Sequence, residues 1–265
     1  MDGAKRKCNR GIVLQARDLT LLGELADMRI ADAPQLGIVA GFHSRTRINT
    51  RLLALHRAGL LRRFFIGSGG GRKALYATSP KAAQLLHLPN RGPRRQTDAT
   101  LVADFFVLHQ LALNAVYCAV KFQRVPIPNI RFVQWLWFYE PLAQGLPLIP
   151  DGYVEWNTGS RIDAAFIEVD LGTEALSVWK DKAERYLELF RSGEFKRQFK
   201  QPEFRVLVLA NSARRMNTIR AAVAKVTDRM FGFATLCAAQ GDQFFGPVWL
   251  RPTNPEYRPL FVESK

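Results

Sequence analysis

Cysteine is scarce in this sequence. Cys8, Cys118 and Cys237 are the three in 265 residues, and they stand far apart. Odd in number and with no CxxC among them, they exclude a disulfide framework and a cysteine-based zinc site, so a reducing, cytoplasmic setting is the expectation. Long hydrophobic runs are also missing. No uninterrupted apolar stretch approaches the roughly 20 residues of a membrane span, so no membrane partner is expected. The opening MDGAKRKCNRGIVLQ is basic, with neither the apolar core nor the cleavage site of a signal peptide. No internal repeat is present. Acidic residues are the third shortage: 23 Asp and Glu stand against 38 Lys and Arg, a net charge of +15. The imbalance is local, because residues 1–97 hold 18 Lys/Arg against 5 Asp/Glu while residues 98–265 hold 20 against 18. Such an excess asks for a polyanion, nucleic acid before a membrane surface.

What is present gives enough chain for one or two domains, each able to bury a core. Residues 1–13 form a basic arm with Lys5, Arg6, Lys7 and Arg10. Leu19, Leu22, Leu25 and Ala26 fall at helical spacing between Arg17 and Met28. Asp32 can cap a short helix, Ala33 to Val39, and Ser44 a third, RTRINTRLLALHRAG, which Gly59 stops. The apolar stripe of that third helix is Ile48, Leu52 and Leu55, and its opposite face shows Arg45, Arg47, Asn49 and Arg51. Leu60 to Ile66 reads as a strand, GSGGGRK as a flexible loop and Ala74 to Thr78 as the return strand. Pro80 opens a fourth helix to about Leu88. Three helices, a hairpin with a basic Gly-rich tip and a closing helix make a winged helix-turn-helix over residues 14–88.

The phrases HRAGLLRR and GGGRKALYATSPKAAQLL resemble the end of the recognition helix and the wing of bacterial winged-helix proteins. Double-stranded DNA is then the expected partner. Ser44, Arg45, Arg47, Asn49 and Arg51 are placed to face the major groove, and Arg72 and Lys73 the backbone or minor groove. Readers of this kind are often dimers on two half-sites, so a homodimer is one expected assembly. A winged helix used only for protein contacts is the alternative, and the local charge argues against it. Arg57, Arg62 and Arg63 can serve merely to shield the hairpin. LPNRGPRRQT has no period and reads as a linker over residues 89–97.

Residues 98–265 read as an α/β domain, which makes the whole chain α+β. Asp98 to Gln123 is expected to be one long helix, apolar nearly all round. Its His109 reads as a packing residue. From Leu148 to Tyr186 come a strand with Pro150-Asp151, a turn at Asn157 to Ser160, a strand from Arg161 to Asp170, and a helix opening near Thr173. The second strand is apolar on both faces, with Ile162, Ala164 and Phe166 on one and Ala165, Ile167 and Val169 on the other, as in the middle of a sheet. Yet Glu168 and Asp170 lie two residues apart on one face at its end. Like charges there either reach water or share a cation. With Asp151 as third carboxylate, hard oxygen ligands suit Mg²⁺ or Mn²⁺, and no nearby His or Cys favours zinc. Glu174, in the first turn of the next helix, is favoured by the dipole without any metal. Further on, FRVLVLA reads as a buried strand, Ser212 as the cap of a helix to about Met230, and Phe231 to Cys237 as a short strand.

This order of elements resembles the restriction-endonuclease-like fold and its PD-(D/E)xK motif. Pro150-Asp151 matches the first half; in Glu168-Val169-Asp170, Asp170 stands where those nucleases usually carry Lys. The resemblance implies that Asp151 and Glu168 hold Mg²⁺ and that a lysine positions the attacking water. Asp170 would be an extra metal ligand, and Lys182 would serve for the missing lysine if its helix folds back over the strand ends. Otherwise the domain is an inactive relative.

Pro150-Asp151, the EVDLGTE segment from Glu168 to Glu174, then Trp179, Lys182 and Tyr186, the VLVLA strand and the GPVWLRP tail together resemble the replication-relaxation family of plasmids and mobile elements. That resemblance covers nearly the full length. It implies a role in replication, DNA relaxation or control of an element's genes, with replication or mobilisation proteins as partners. Two classes stay open: a non-catalytic DNA-binding factor, and a metal-dependent nuclease or nickase.

Overall fold

Short polar caps start the helices of the N-terminal region. Helix α1 spans Ala16–Met28 and buries Leu21, Leu22 and Leu25. Helix α2 spans Ala33–Val39. Its cap Asp32 accepts from the Gln35 N–H at 2.9 Å, while the Gln35 side chain accepts from the Asp32 N–H at 3.3 Å, a reciprocal capping box. Helix α3, Arg45–Arg57, starts at Ser44, which accepts from the Arg47 N–H, and buries Ile48, Leu52 and Leu55. Gly59, at φ +74°, turns the chain out of it.

The computed structural model describes residues 12–67, 72–93, 100–101, 105–123, 125 and 127–261. Lys5, Arg6, Lys7, Cys8 and Arg10 of the arm, the loop glycines at 69–71, and Arg94 and Arg95 of the expected linker lie outside the described residues. The fold is mixed α/β with two sheets, and the chain divides into two compact units, Met1–Leu111 and Ala112–Lys265.

In the first unit β1 (Ala31–Asp32), β2 (Leu61–Ile66), β3 (Lys73–Thr78) and β4 (Thr100–Leu101) form a sheet in the order β1-β3-β2-β4. The β2–β3 hairpin pairs Leu61 with Thr78 and Ile66 with Lys73. Ser79 caps α4, Pro80–Leu85. One expectation is corrected here. The stretch from Asp98 does not begin as a helix: Thr100 and Leu101 are extended and pair in parallel with Phe65 and Ile66 of β2. The outer edge of β2 carries backbone groups that need partners, and this segment supplies them. Helix α5 runs from Phe105 to Lys121 and spans the division between the units. Val107 and Leu111 pack with Ile30, Phe64 and Leu75, and Gln35 Nε2 donates to the Leu111 carbonyl at 2.8 Å.

The second unit holds a five-stranded sheet in chain order: β5 (Arg131–Leu136), β6 (Gly152–Asn157), β7 (Ile162–Asp170), β8 (Arg205–Ala210) and β9 (Phe231–Thr235). The β5–β6 and β6–β7 pairs are antiparallel, and β7–β8 and β8–β9 are parallel. Helices α6 (Leu176–Arg191) and α7 (Glu194–Phe199) connect β7 to β8, and α8 (Ala213–Val223) connects β8 to β9. Helix α7 escaped the sequence reading, and α8 stops short of the expected Met230. Ala164 and Phe166 of β7 share a core with Trp179 and Tyr186 of α6 and Met216 and Ile219 of α8. Ala165, Ile167 and Val169 face the other way, toward Leu113, Val116 and Val120 of α5 and Phe244, Phe245 and Trp249 of the tail. Both faces of β7 are therefore covered, as its two apolar sets require. Gly152 opens β6 because a Cβ there would meet Trp135 Cζ2 at 2.4 Å.

Candidate functional site

The sequence Pro-Asp-Gly delivers Asp151 to the C-terminal end of β7. Asp151 Oδ2 accepts from the Val169 N–H at 2.7 Å, which ties the residue before β6 to the end of β7. Its charge is then near enough to act on Glu168 and Lys182. Glu168 and Asp170 share one face of β7, and α6 crosses that face. On α6, Trp179, Lys182 and Tyr186 follow one another at helical spacing and form one stripe. Tyr186 OH donates to Glu168 Oε1 at 2.6 Å, and Lys182 Nζ donates to Glu168 Oε2 at 2.9 Å and to Glu174 Oε1 at 3.1 Å. Trp179 Nε1 donates to Asp170 Oδ2 at 3.1 Å.

Asp170 has a further partner, which the sequence reading missed. Arg215, in the first turn of α8, donates Nε to Oδ1 and Nη2 to Oδ2, both at 2.7 Å, and the Gly172 N–H donates to Oδ1 at 2.7 Å. Gly172, at φ +94°, makes the turn that lets its own N–H reach back. A signal for Arg215 existed in the spacing Ser212-x-x-Arg215 after a buried strand. Ser212 caps α8 by accepting from the Arg215 N–H, and the parallel register sets Ala210 beside Asp170. The structure thus brings together Asp151, Glu168 and Lys182. Asp170 does not join them, because both its oxygens are engaged by Arg215.

Burial pushes the Glu168 carboxyl up to about 7; the Lys182 ammonium and the Tyr186 hydroxyl oppose this, and the Asp151 charge adds to it. Burial alone would lower the Lys182 ammonium, but Glu168, Glu174 and Asp151 hold it above its ordinary value. Lys182 therefore stays charged wherever Glu168 titrates, and Glu168 is the group of this pair that takes up or releases a proton near neutrality. Asp170 behaves oppositely: burial raises it, yet the bonds from Arg215, Trp179 and Gly172 keep it below the usual carboxylate range.

Among the described residues no group of three or more His, Cys, Asp or Glu is placed to hold a metal ion. Asp151 and Glu168 remain as two hard oxygen donors. Mg²⁺ takes one or two carboxylates and completes its shell with water or phosphate, so this pair fits such an ion in donor type, with Tyr186 and Lys182 already donating to the two Glu168 oxygens and Val169 to Asp151.

In the first unit, Arg45, Arg47 and Asn49 are exposed on α3, with Ser44 at its cap. Arg51 does not join them. Its Nε donates to Asp18 Oδ1 at 2.8 Å, a second bond joins the same carboxylate, and Nη2 donates to the Val13 carbonyl at 2.8 Å. Arg72 and Lys73 are exposed where β3 begins, and Lys73 pairs with Asp32. Arg62 and Arg63 lie over Phe64 and Phe65, at 4.9 and 5.1 Å from the ring centroids.

The family model described as replication-relaxation matches residues 22–201. The chain belongs to the replication-relaxation family. The match takes in α2, α3, the β2–β3 hairpin and the Asp151–Glu168–Lys182 cluster, and ends before β8 and Arg215. No curated protein and no solved structure matches the chain. For a replication-relaxation protein, membership suggests a role in the replication or relaxation of plasmids or other mobile elements, with DNA and replication-related interactions. Among the described residues no helix is long and apolar enough to cross a membrane.

Proposed function

We propose that this replication-relaxation protein binds double-stranded DNA through a winged helix over residues 14–88, reading sequence with α3 and gripping the backbone with the tip of the β2–β3 hairpin. One observation carries this reading: α3 buries Ile48, Leu52 and Leu55 while presenting Arg45, Arg47 and Asn49 to solvent, and it contains no Asp or Glu. An unbalanced cationic face on a capped helix suits a major groove, where Arg and Asn reach base edges. Arg51 stays with Asp18 and fixes α3 against α1. The linker at 89–97, a homodimer on two half-sites, and replication or mobilisation partners belong to the same reading. Affinity of the full chain for its DNA should fall steeply with salt. Arg45→Ala, Arg47→Ala and Asn49→Ala should each cost about 1–3 kcal/mol on the preferred sequence. Arg72→Ala should weaken all sequences alike. Binding that is insensitive to salt and to all four substitutions refutes the reading.

A second reading is favoured by the contact of Lys182 with Glu168. A restriction-endonuclease-like nuclease needs a lysine beside its Asp and Glu, and α6 supplies one where strand position 170 does not. In this reading Asp151 and Glu168 hold Mg²⁺ or Mn²⁺, which would supply Lewis-acid stabilisation at a DNA phosphate. Lys182 orients the Glu168 carboxylate and favours its charged form against burial, Tyr186 fixes its other oxygen, and Asp170 with Arg215 holds the strand end to α6 and α8.

A further inference from the structure

The N-terminal ends of β7, β8 and β9 border a cavity of about 780 Å³, at the opposite end of the sheet from Glu168. Its apolar lining includes Phe190 from the last turn of α6, Phe204 just before β8 and Met230 just before β9. Phe190 is 48% exposed, so its ring is open to a ligand. Arg205 and Arg251 also line the cavity. Among the described residues neither has a carboxylate within hydrogen-bonding distance. Arg205 donates Nη1 to the Leu260 carbonyl at 2.7 Å and comes only within 4.0 Å of Asp163. Arg251 reaches the Phe231 carbonyl at 3.5 Å.

The nearby acids are engaged elsewhere. Asp163 and Glu203 pair with Arg161 at 2.9 and 3.2 Å, and Asp228 lies 3.8 Å from Arg229. Burial lowers the pKa of both Arg205 and Arg251; at Arg205 the Asp163 and Glu203 charges offset part of this, while at Arg251 the Arg205 and Arg258 guanidiniums lower it further. Among the described residues Arg251 has no carboxylate partner and Arg205 has one only at 4.0 Å, so this pair is a fitting place for a ligand anion, and the planar guanidinium matches phosphate in a two-bond geometry.

We propose that this cavity binds a nucleotide, with its phosphate on Arg205 and Arg251 and its base against the exposed ring of Phe190. The volume falls in the range of small-molecule sites. Aromatic rings accept any base by stacking. Asp163, Glu203 and Asp228, on the rim, can accept bonds from sugar hydroxyls or exocyclic amines. The phosphate-bearing nucleotide is either a free one or the end of a DNA strand. The site rests neither on the α3 reading nor on the Glu168 cluster.

Calorimetric titration of the full chain tests it, with AMP, inorganic phosphate and a 5′-phosphorylated thymidine trinucleotide as probes. The trinucleotide is titrated in an Arg45→Ala, Arg47→Ala background, so that α3 does not contribute. Saturable binding of AMP or the trinucleotide is expected, weakened about tenfold or more by Arg251→Met. Phe190→Ala should weaken AMP but leave inorganic phosphate unchanged; this surface variant keeps the test open if Arg251→Met does not fold. Tighter AMP identifies a free nucleotide, and a tighter trinucleotide a strand end. Absence of binding at millimolar AMP and trinucleotide, or binding unmoved by both substitutions, overturns the proposal.

Discussion

Lys182 Nζ lies 2.9 Å from Glu168 Oε2, although one residue sits on a helix and the other on a strand 14 positions earlier. The contact places a cation where Asp151 and Glu168 would otherwise repel.

If this cluster cuts DNA, Asp151→Ala and Glu168→Ala should each abolish nicking of supercoiled plasmid in Mg²⁺ or Mn²⁺ with DNA affinity nearly intact. Lys182→Met should slow nicking by about 10²-fold or more, the scale of a lost acid–base or positioning group. Cleavage that survives both carboxylate substitutions excludes the site. A wild-type protein that never cuts, and binds DNA equally or more tightly once the carboxylates are removed, leaves DNA binding as the function.

Glu168 makes stability depend on pH near neutrality. Its folded carboxyl stands at about 7 against an ordinary 4.5. The folded state then holds a proton that the unfolded chain has released. Its contribution is complete below about pH 4.5 and is lost as pH rises to about 7, on the order of 3 kcal/mol. Urea unfolding from pH 5 to 8 should show wild type losing stability relative to Glu168→Gln across this window. A difference that does not change with pH contradicts the assignment. Lys182→Met removes an opposing cation and should move the Glu168 midpoint higher still, as followed by carboxyl NMR.

Asp170 and Arg215 form the opposite case. The Asp170 side chain is fully buried, and Arg215 supplies two of its bonds. Arg215→Ala should destabilise the protein by about 3–5 kcal/mol, because it strands a buried carboxylate. The depressed Asp170 carboxyl contributes stability above its unfolded value, and that contribution is lost as pH falls through its folded value. Asp170→Asn should therefore be less stable than wild type at pH 7, and its stability should fall less steeply as pH drops. Stability measured between pH 2 and 5 checks this, and equal slopes for variant and wild type contradict the assignment.

On the proposed reading, Arg51 serves structure and Arg45 recognition on one helix. Arg51 holds the buried Asp18 carboxylate, and Arg45 is exposed. Arg51→Ala should lower unfolding stability by about 3 kcal/mol. Arg45→Ala should stay within about 0.5 kcal/mol of wild type in stability and lose affinity for the preferred DNA. Equal stability losses for both would remove the distinction between the two faces of α3.

Much of this was legible in the sequence. The charge excess of residues 1–97, the Ser44 cap, the Ile48–Leu52–Leu55 stripe and the two apolar faces of β7 depend on composition and on periods of 3.6 and 2, which are local properties of the chain. The same period of 2 put Glu168 and Asp170 on one face. Only the tertiary structure decided which cation meets which carboxylate. Glu168 took Lys182, Asp170 took Arg215, and Arg51, which shares a helix with Arg45 and Arg47, took Asp18. Those pairings follow from how α6 and α8 lie across the strand ends and how α1 meets α3. Spacing along the chain fixes the face on which a side chain stands, but its partner on another element is set by packing. The β4 pairing has the same origin: an open strand edge recruited a segment that propensity alone reads as helix.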